Sequence, residues 1–201
     1  MNNARTPANV ASANAHVCPV WLGRLLLNPL RRLLENPDAI LASLVRPGDV
    51  AVDVGCAMGY YALPLARLVG ERGRVVCVDL QPRMLSGLQE RAQRHGLASR
   101  LELRLCTEQQ LPLQDLRGAV DVATVVHMVH EVPDPTRLFC ELAAAVRPGG
   151  LVVFVEPRGH VRRGAFARSL DLADQAGFRP ENPLAVRWAH SRLLRRRDET
   201  A

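Results

Sequence analysis

At 201 residues the chain suits one domain with a core of its own. Its net charge is +6, yet all 26 basic side chains are arginines, a usage that reads as coding bias rather than as selection for a nucleic-acid surface. The five cysteines, Cys18, Cys56, Cys77, Cys106 and Cys140, are odd in number and lack CxxC spacing, which argues against a disulfide framework or a zinc site. Arg24 interrupts the first apolar stretch and no run reaches the length of a membrane span, so a soluble, cytoplasmic protein is expected.

Residues 1–15 are rich in Asn, Ala and Ser without periodicity and read as a flexible tail. The run His16-Val17-Cys18-Pro19-Val20-Trp21 then suits either a lid over a ligand or an apolar anchor on the domain. Asn28-Pro29 and Asn36-Pro37 each place an N-cap Asn before a Pro at the first helical position, predicting two short helices. Leu30, Leu33 and Leu34 line one helix, and Ile40, Leu41 and Leu44 the other, so residues 16–46 form a helical lid or cap.

Pro47-Gly48 turns the chain into Val50 to Val54, whose alternating valines read as a buried strand. Gly55, Ala57 and Gly59 then allow a tight turn, and a helix continues through Ala62, Leu65, Ala66 and Val69 to Gly70. A second strand covers Arg74 to Leu80, and a helix runs from Pro82 to about His95. Leu101 to Leu105 is a third strand, with Thr107 and Glu108 just beyond its tip. Asp121 to Val126 is a fourth strand leading into His127-Met128-Val129-His130-Glu131. A helix from about Thr136 to Val146 is closed by Pro148-Gly149-Gly150. The fifth strand, Leu151 to Val155, ends in Glu156-Pro157-Arg158-Gly159-His160. After a helix over about Gly164 to Ala176, the runs Leu184 to Trp188 and Ser191 to Arg195 predict a closing antiparallel hairpin. Strand and helix alternate five times, which predicts a single α/β domain over 16–201 with a parallel, doubly wound sheet and right-handed crossovers.

The turn after the first strand marks the ligand site, because a helix starting there directs backbone N–H groups and a positive dipole end into the crevice at the strand ends. A dinucleotide fold needs G-x-G-x-x-G, whereas here the spacing is Asp53-x-Gly55-x-Ala57-x-Gly59. Asp53 repels a phosphate and suits a ligand that carries an ammonium group. Asp79, at the tip of the neighbouring strand, is placed to accept both hydroxyls of a ribose. Its other reading is as a cap for the helix that begins at Pro82.

From about Asp49 to Pro157 the chain resembles a class I S-adenosylmethionine-dependent methyltransferase of the small-molecule, ubiquinone/menaquinone-biosynthesis-like branch. The residues that carry the resemblance are VDVGCAMG, VCVDLQPRML, the EQQLPL loop, VVHMVHEVPDP and AVRPGGLVVFVEP, in that order. The resemblance implies a Rossmann-like seven-stranded sheet in the order 3-2-1-4-5-7-6, closed by the hairpin already read from the tail. It implies S-adenosyl-L-methionine as cofactor, S-adenosyl-L-homocysteine as product and a small-molecule acceptor. By position, Asp53 and the Gly55, Cys56, Ala57 and Gly59 turn would hold the methionine end, and Asp79 the ribose. Leu80 would pack on adenine, and Thr107 and Glu108 would cover its edge. Two residues depart from the pattern. Ala57 replaces a glycine, which is tolerated if the backbone there has negative φ. Thr107 stands where many relatives have an Asp for the adenine amino group.

His127, His130, Glu131, Glu156 and His160 follow the fourth and fifth strands on the crevice side, where an acceptor losing a proton needs a base. His130 or His127 is the candidate base, with Glu131 or Glu156 orienting it. Glu156 with Arg158 could instead hold a charged acceptor. A metal reading that adds His16 and Cys18 matches no standard zinc spacing, so no metal is expected. Two rival functions remain: an RNA or protein methyltransferase that uses Arg162 and Arg163, and a catalytically silent S-adenosylmethionine-binding protein.

Overall fold

The computed structural model describes residues 31 and 33–198. Beginning at α1, Pro37–Leu41, the chain alternates β1 (Val50–Val54), α2 (Ala62–Val69), β2 (Arg74–Asp79), α3 (Pro82–Arg94), β3 (Leu101–Leu105) and β4 (Val120–Val126). It continues through α4 (Pro135–Ala145), β5 (Val146–Pro157), α5 (Arg163–Gln175), β6 (Phe178–Pro180) and β7 (Ala189–Arg196). The strands form one seven-stranded sheet in the order β3-β2-β1-β4-β5-β7-β6. Strands β1 to β5 pair in parallel, and β7 is antiparallel to both β5 and β6.

The sheet is covered on both faces, which is why its central strands read as unbroken apolar runs. Val52, Val54, Val76, Val78 and Phe154 pack on one face with Phe139 of α4 and Phe166 of α5. Ala51, Cys77, Val153 and Val155 pack on the other with Leu65 and Val69 of α2 and Leu88 of α3. Four free cysteines, Cys56, Cys77, Cys106 and Cys140, lie among the described residues. No described helix is long and apolar enough to cross a membrane.

Three local expectations are corrected. Asn36 precedes α1 but makes no side-chain capping hydrogen bond. Pro148-Gly149-Gly150 does not follow the helix as a separate turn; it forms an irregular start to β5, where the register with β4 shifts between Val120 and Val122. The first hairpin strand is Phe178–Pro180, not Leu184 to Trp188. In the latter run the backbone groups are taken elsewhere: Leu184 N–H donates to Ser191 Oγ at 3.1 Å, and Arg187 N–H to the Leu34 carbonyl at 2.9 Å. Trp188 then turns left-handed, with φ 62°. The segment His16 to Trp21, expected as a lid or an anchor, lies outside the described residues, as does most of the first cap helix.

Candidate active site

The order of the sheet reverses at β1, whose neighbours β2 and β4 lead away in opposite directions, and a crevice opens beyond such strand ends. It forms a cavity of about 750 Å³, lined by the tips of β1, β2 and β4, the loop after β3 and the segment after β4. Of the expected cofactor residues, Asp53, Gly55, Cys56, Ala57, Asp79, Leu80, Thr107 and Glu108 all line it.

Gly59 is not among the lining residues. Its φ is +84°, and a Cβ there would fall 2.3 Å from Leu88 Cδ1, so this glycine brings the turn against α3. Gly55, with φ +70°, would place a Cβ 3.0 Å from Met128 Cγ. The turn also differs from the anion cradle expected of it, because its amides are bonded internally. Gly55 and Cys56 donate to the Val78 carbonyl at 2.8 and 3.1 Å, Ala57 to Asp79 at 2.8 Å and Gly59 to the Cys56 carbonyl at 2.9 Å. Ala57 adopts φ 45°, so its methyl is carried in a left-handed conformation and not at the negative φ that would tolerate it freely.

Asp53 is only 3 % exposed. Its Oδ1 accepts from Thr124 Oγ1 at 2.6 Å, across the register that pairs the two residues. Burial raises its pKa to about 7, against the opposing pull of the Thr124 hydroxyl. Three buried side-chain polar atoms among the described residues lack a hydrogen-bond partner: Asp53 Oδ2, Tyr61 Oη and His127 Nδ1. All three residues line this one cavity. The open acceptors of Asp53 and His127 around one cavity fit the ammonium of an amino-acid group, while the Tyr61 hydroxyl faces the Glu35 carboxylate.

Asp79 accepts from the backbone N–H of Ala57 and of Gln81, each at 2.8 Å. Burial still holds its pKa above the ordinary carboxylate value. Gln81 is the N-cap position of α3 and no side chain caps that helix, so the Asp79–Gln81 bond is a turn at the strand end and not the helix cap of the other reading. Each carboxylate oxygen keeps a second lone pair, so these bonds leave the ribose role open. The loop after β3 is hung on α4: Glu141 Oε2 accepts from Leu111 N–H at 2.8 Å, and Arg137 Nη1 donates to the Gln109 carbonyl at 2.6 Å. Within that loop the Thr107 hydroxyl accepts from Gln109 N–H at 3.3 Å.

The histidines separate into two pairs. His130 Nδ1 lies 2.5 Å from Glu156 Oε2, while Glu156 Oε1 accepts from Val129 N–H at 2.8 Å. Glu156 is fully buried beneath the cavity wall, and its hydrogen bond raises the His130 pKa. Glu131 Oε1 stands 3.9 Å from His130 Nε2, and the His160 ring lies 5.9 Å from that of His130. His127 Nε2 is instead 2.7 Å from Oε2 of Glu35. Glu156 is engaged by His130 and Val129, and Arg158 Nε donates to the Ala189 carbonyl at 3.0 Å. His16 and Cys18 lie outside the described residues, among which no group of three His, Cys, Asp or Glu side chains could hold a metal ion.

Sequence reasoning missed Glu35, Tyr61, Thr124, Arg137 and Glu141. Thr124 alone carried a signal, as a hydroxyl inside the apolar strand DVATVV. These features define a doubly wound α/β protein with its ligand crevice at the topological switch point of the sheet.

Comparison with known proteins extends this. Residues 52–154 match the family described as a methyltransferase domain. A demethylmenaquinone methyltransferase of Bacillus cereus is 33% identical over 112 residues, which cover 56% of this chain and 46% of that protein. An uncharacterized 37.1 kDa protein in transposon Tn4556 of Streptomyces fradiae is 35% identical over 112 residues, 56% of this chain and 31% of that one. The chain thus spans less than half the length of these curated relatives. The crystal structure of a SAM-dependent methyltransferase from Aquifex aeolicus shares the fold, with a TM-score of 0.77 at 21% identity over 89% of this chain and 99% of that one. The chain belongs to the class I S-adenosylmethionine-dependent methyltransferases.

Proposed function

We propose that the protein methylates a protic group, an acidic hydroxyl foremost, on a small-molecule acceptor, with His130 as general base. The observation that carries this reading is the His130–Glu156 pair at the cavity wall, with Nδ1 held by a buried carboxylate and Nε2 left for the acceptor. S-adenosylmethionine supplies an electrophilic methyl on a sulfonium, whose charge disperses as the methyl moves in line. Asp53 would bind the ammonium, Asp79 the ribose hydroxyls, and Leu80 with the Thr107–Glu108 loop the adenine. The apolar side chains Met128, Val132, Leu138 and Pro157 in the lining exclude water around the reacting atoms. Glu156 fixes the imidazole tautomer, and Nε2 takes the acceptor proton as the new bond forms. The demethylmenaquinone methyltransferase among the relatives supports a small-molecule acceptor.

The test is S-adenosylhomocysteine formation by the purified protein against a panel of phenols, enols, amines and thiols, with bulk tRNA and rRNA as further substrates. Turnover on a hydroxylated small molecule that falls at least a hundredfold in His130→Asn supports the reading. Salt-sensitive turnover on RNA alone, or cofactor binding with no turnover on any substrate, overturns it in favour of the rival functions.

A further inference from the structure

Glu35 belongs to the cap, 92 residues before His127, yet its carboxylate is 2.7 Å from the His127 ring and its residue is only 4 % exposed. The cap is fastened at this point by more than one bond. Tyr60 Oη donates to the Glu35 carbonyl at 2.6 Å, and Arg31 Nη2 to Glu35 Oε1 at 3.2 Å, with the Arg31 guanidinium 4.0 Å above the Tyr60 ring. His127 itself sits in a left-handed conformation, φ 55°, which costs a non-glycine residue about 1 kcal/mol. A strained backbone, a buried carboxylate and a buried ring nitrogen with no partner occur together in one wall of the cofactor cavity. A contact serving only to hold the cap needs neither the strain nor the unpaired nitrogen.

We propose that Glu35 is a positioning residue that makes His127 a reader of the amino-acid end of the cofactor. By accepting from Nε2–H, Glu35 fixes the proton on that nitrogen and leaves Nδ1 as an acceptor. Nδ1 and Asp53 Oδ2 then offer two acceptors to an ammonium group. A cofactor carrying the amino-acid group satisfies both open acceptors, and a nucleoside that lacks it satisfies neither.

This rests on the cofactor placement given above, and the experiment separates the two. Calorimetric titration compares S-adenosylhomocysteine with 5′-methylthioadenosine, which keeps the nucleoside and sulfur but has no amino-acid group. Binding is measured to the unaltered protein, Glu35→Ala, Glu35→Gln and His127→Asn, each checked for cooperative unfolding. In Glu35→Ala and His127→Asn, affinity for S-adenosylhomocysteine falls about tenfold and that for methylthioadenosine changes less than twofold. Glu35→Gln, whose carbonyl still accepts from Nε2–H, recovers most of the loss. Equal losses for both ligands would make the contact a structural clamp and overturn the proposal, as would no loss for either. Failure of the unaltered protein to bind S-adenosylhomocysteine would overturn the cofactor placement and the proposal with it.

Discussion

His130 and Glu156 are joined at 2.5 Å between Nδ1 and Oε2, and the second carboxylate oxygen is fixed by Val129 N–H, so the imidazole is held from below by a group that cannot swing away. Glu156 raises the His130 pKa above 6.5. Only the neutral ring can take a proton, so turnover rises with pH through that raised value. Glu156→Gln lowers kcat and moves the rising limb toward the ordinary histidine value. The pH dependence of kcat/KM in the two proteins shows the position of the limb and kcat at its plateau shows the loss, and an unmoved limb removes His130 from the base role. For stability the sign is reversed: the pair's contribution is full below the ordinary histidine value and is lost as pH rises through the raised one.

Asp53, held at a pKa of about 7 by burial, makes cofactor affinity pH-dependent. An ammonium group selects the ionised form, so affinity increases up to about pH 7 and then levels, with a proton released below that point. Titrations in buffers of different ionisation enthalpy measure that proton. The same shift makes stability greatest below the ordinary carboxylate value and progressively lower as pH rises toward about 7. Asp53→Asn therefore abolishes measurable cofactor binding while raising the unfolding midpoint at pH 8 by about 2–4 °C, for about 1 kcal/mol.

Ala57→Gly stabilises the protein. The residue has φ 45°, and its N–H bond to Asp79 needs no side chain. Relief of left-handed strain, less the extra freedom of glycine in the unfolded chain, leaves a gain of about 0.5–1 kcal/mol. Denaturant unfolding midpoints at unchanged slope check it.

Glu141→Ala loosens the loop after β3 by removing the acceptor for Leu111 N–H. KM for S-adenosylmethionine rises about five- to tenfold with little change in kcat, since the proposed cofactor placement puts the loop at the adenine end and away from the reacting methyl. Arg137→Ala, which frees the Gln109 carbonyl, acts in the same direction. Initial rates at varied cofactor concentration separate the two constants.

The central sheet was legible because each of β1, β2 and β4 announces itself as a short, nearly unbroken apolar run, with Asp53 and Asp79 near the carboxyl ends of β1 and β2. Asp53 and Asp79 were legible for the same reason, as acids at strand ends. The Glu35–His127 contact was not, because its partners are 92 residues apart and Glu35 lies in no periodic pattern. The first hairpin strand was misplaced because Phe178–Pro180 has only three residues, one of them proline, whereas Leu184 to Trp188 has the composition of a strand without its ladder. The conformation of Ala57 was hidden by its identity: the bonds of its neighbours to Val78 and Cys56, and its own to Asp79, impose a φ that alanine does not signal.

Strand β5 lies between β4 and β7, with Leu151 to Pro157 matched against Ala189 to Arg195. During synthesis it is made well before its second neighbour. Until Ala189 to Arg196 emerges, the apolar run Val152-Val153-Phe154-Val155 presents an open row of backbone donors and acceptors, the kind of edge on which chains join one another. Loss of the last strand would thus yield aggregates rather than a smaller soluble domain.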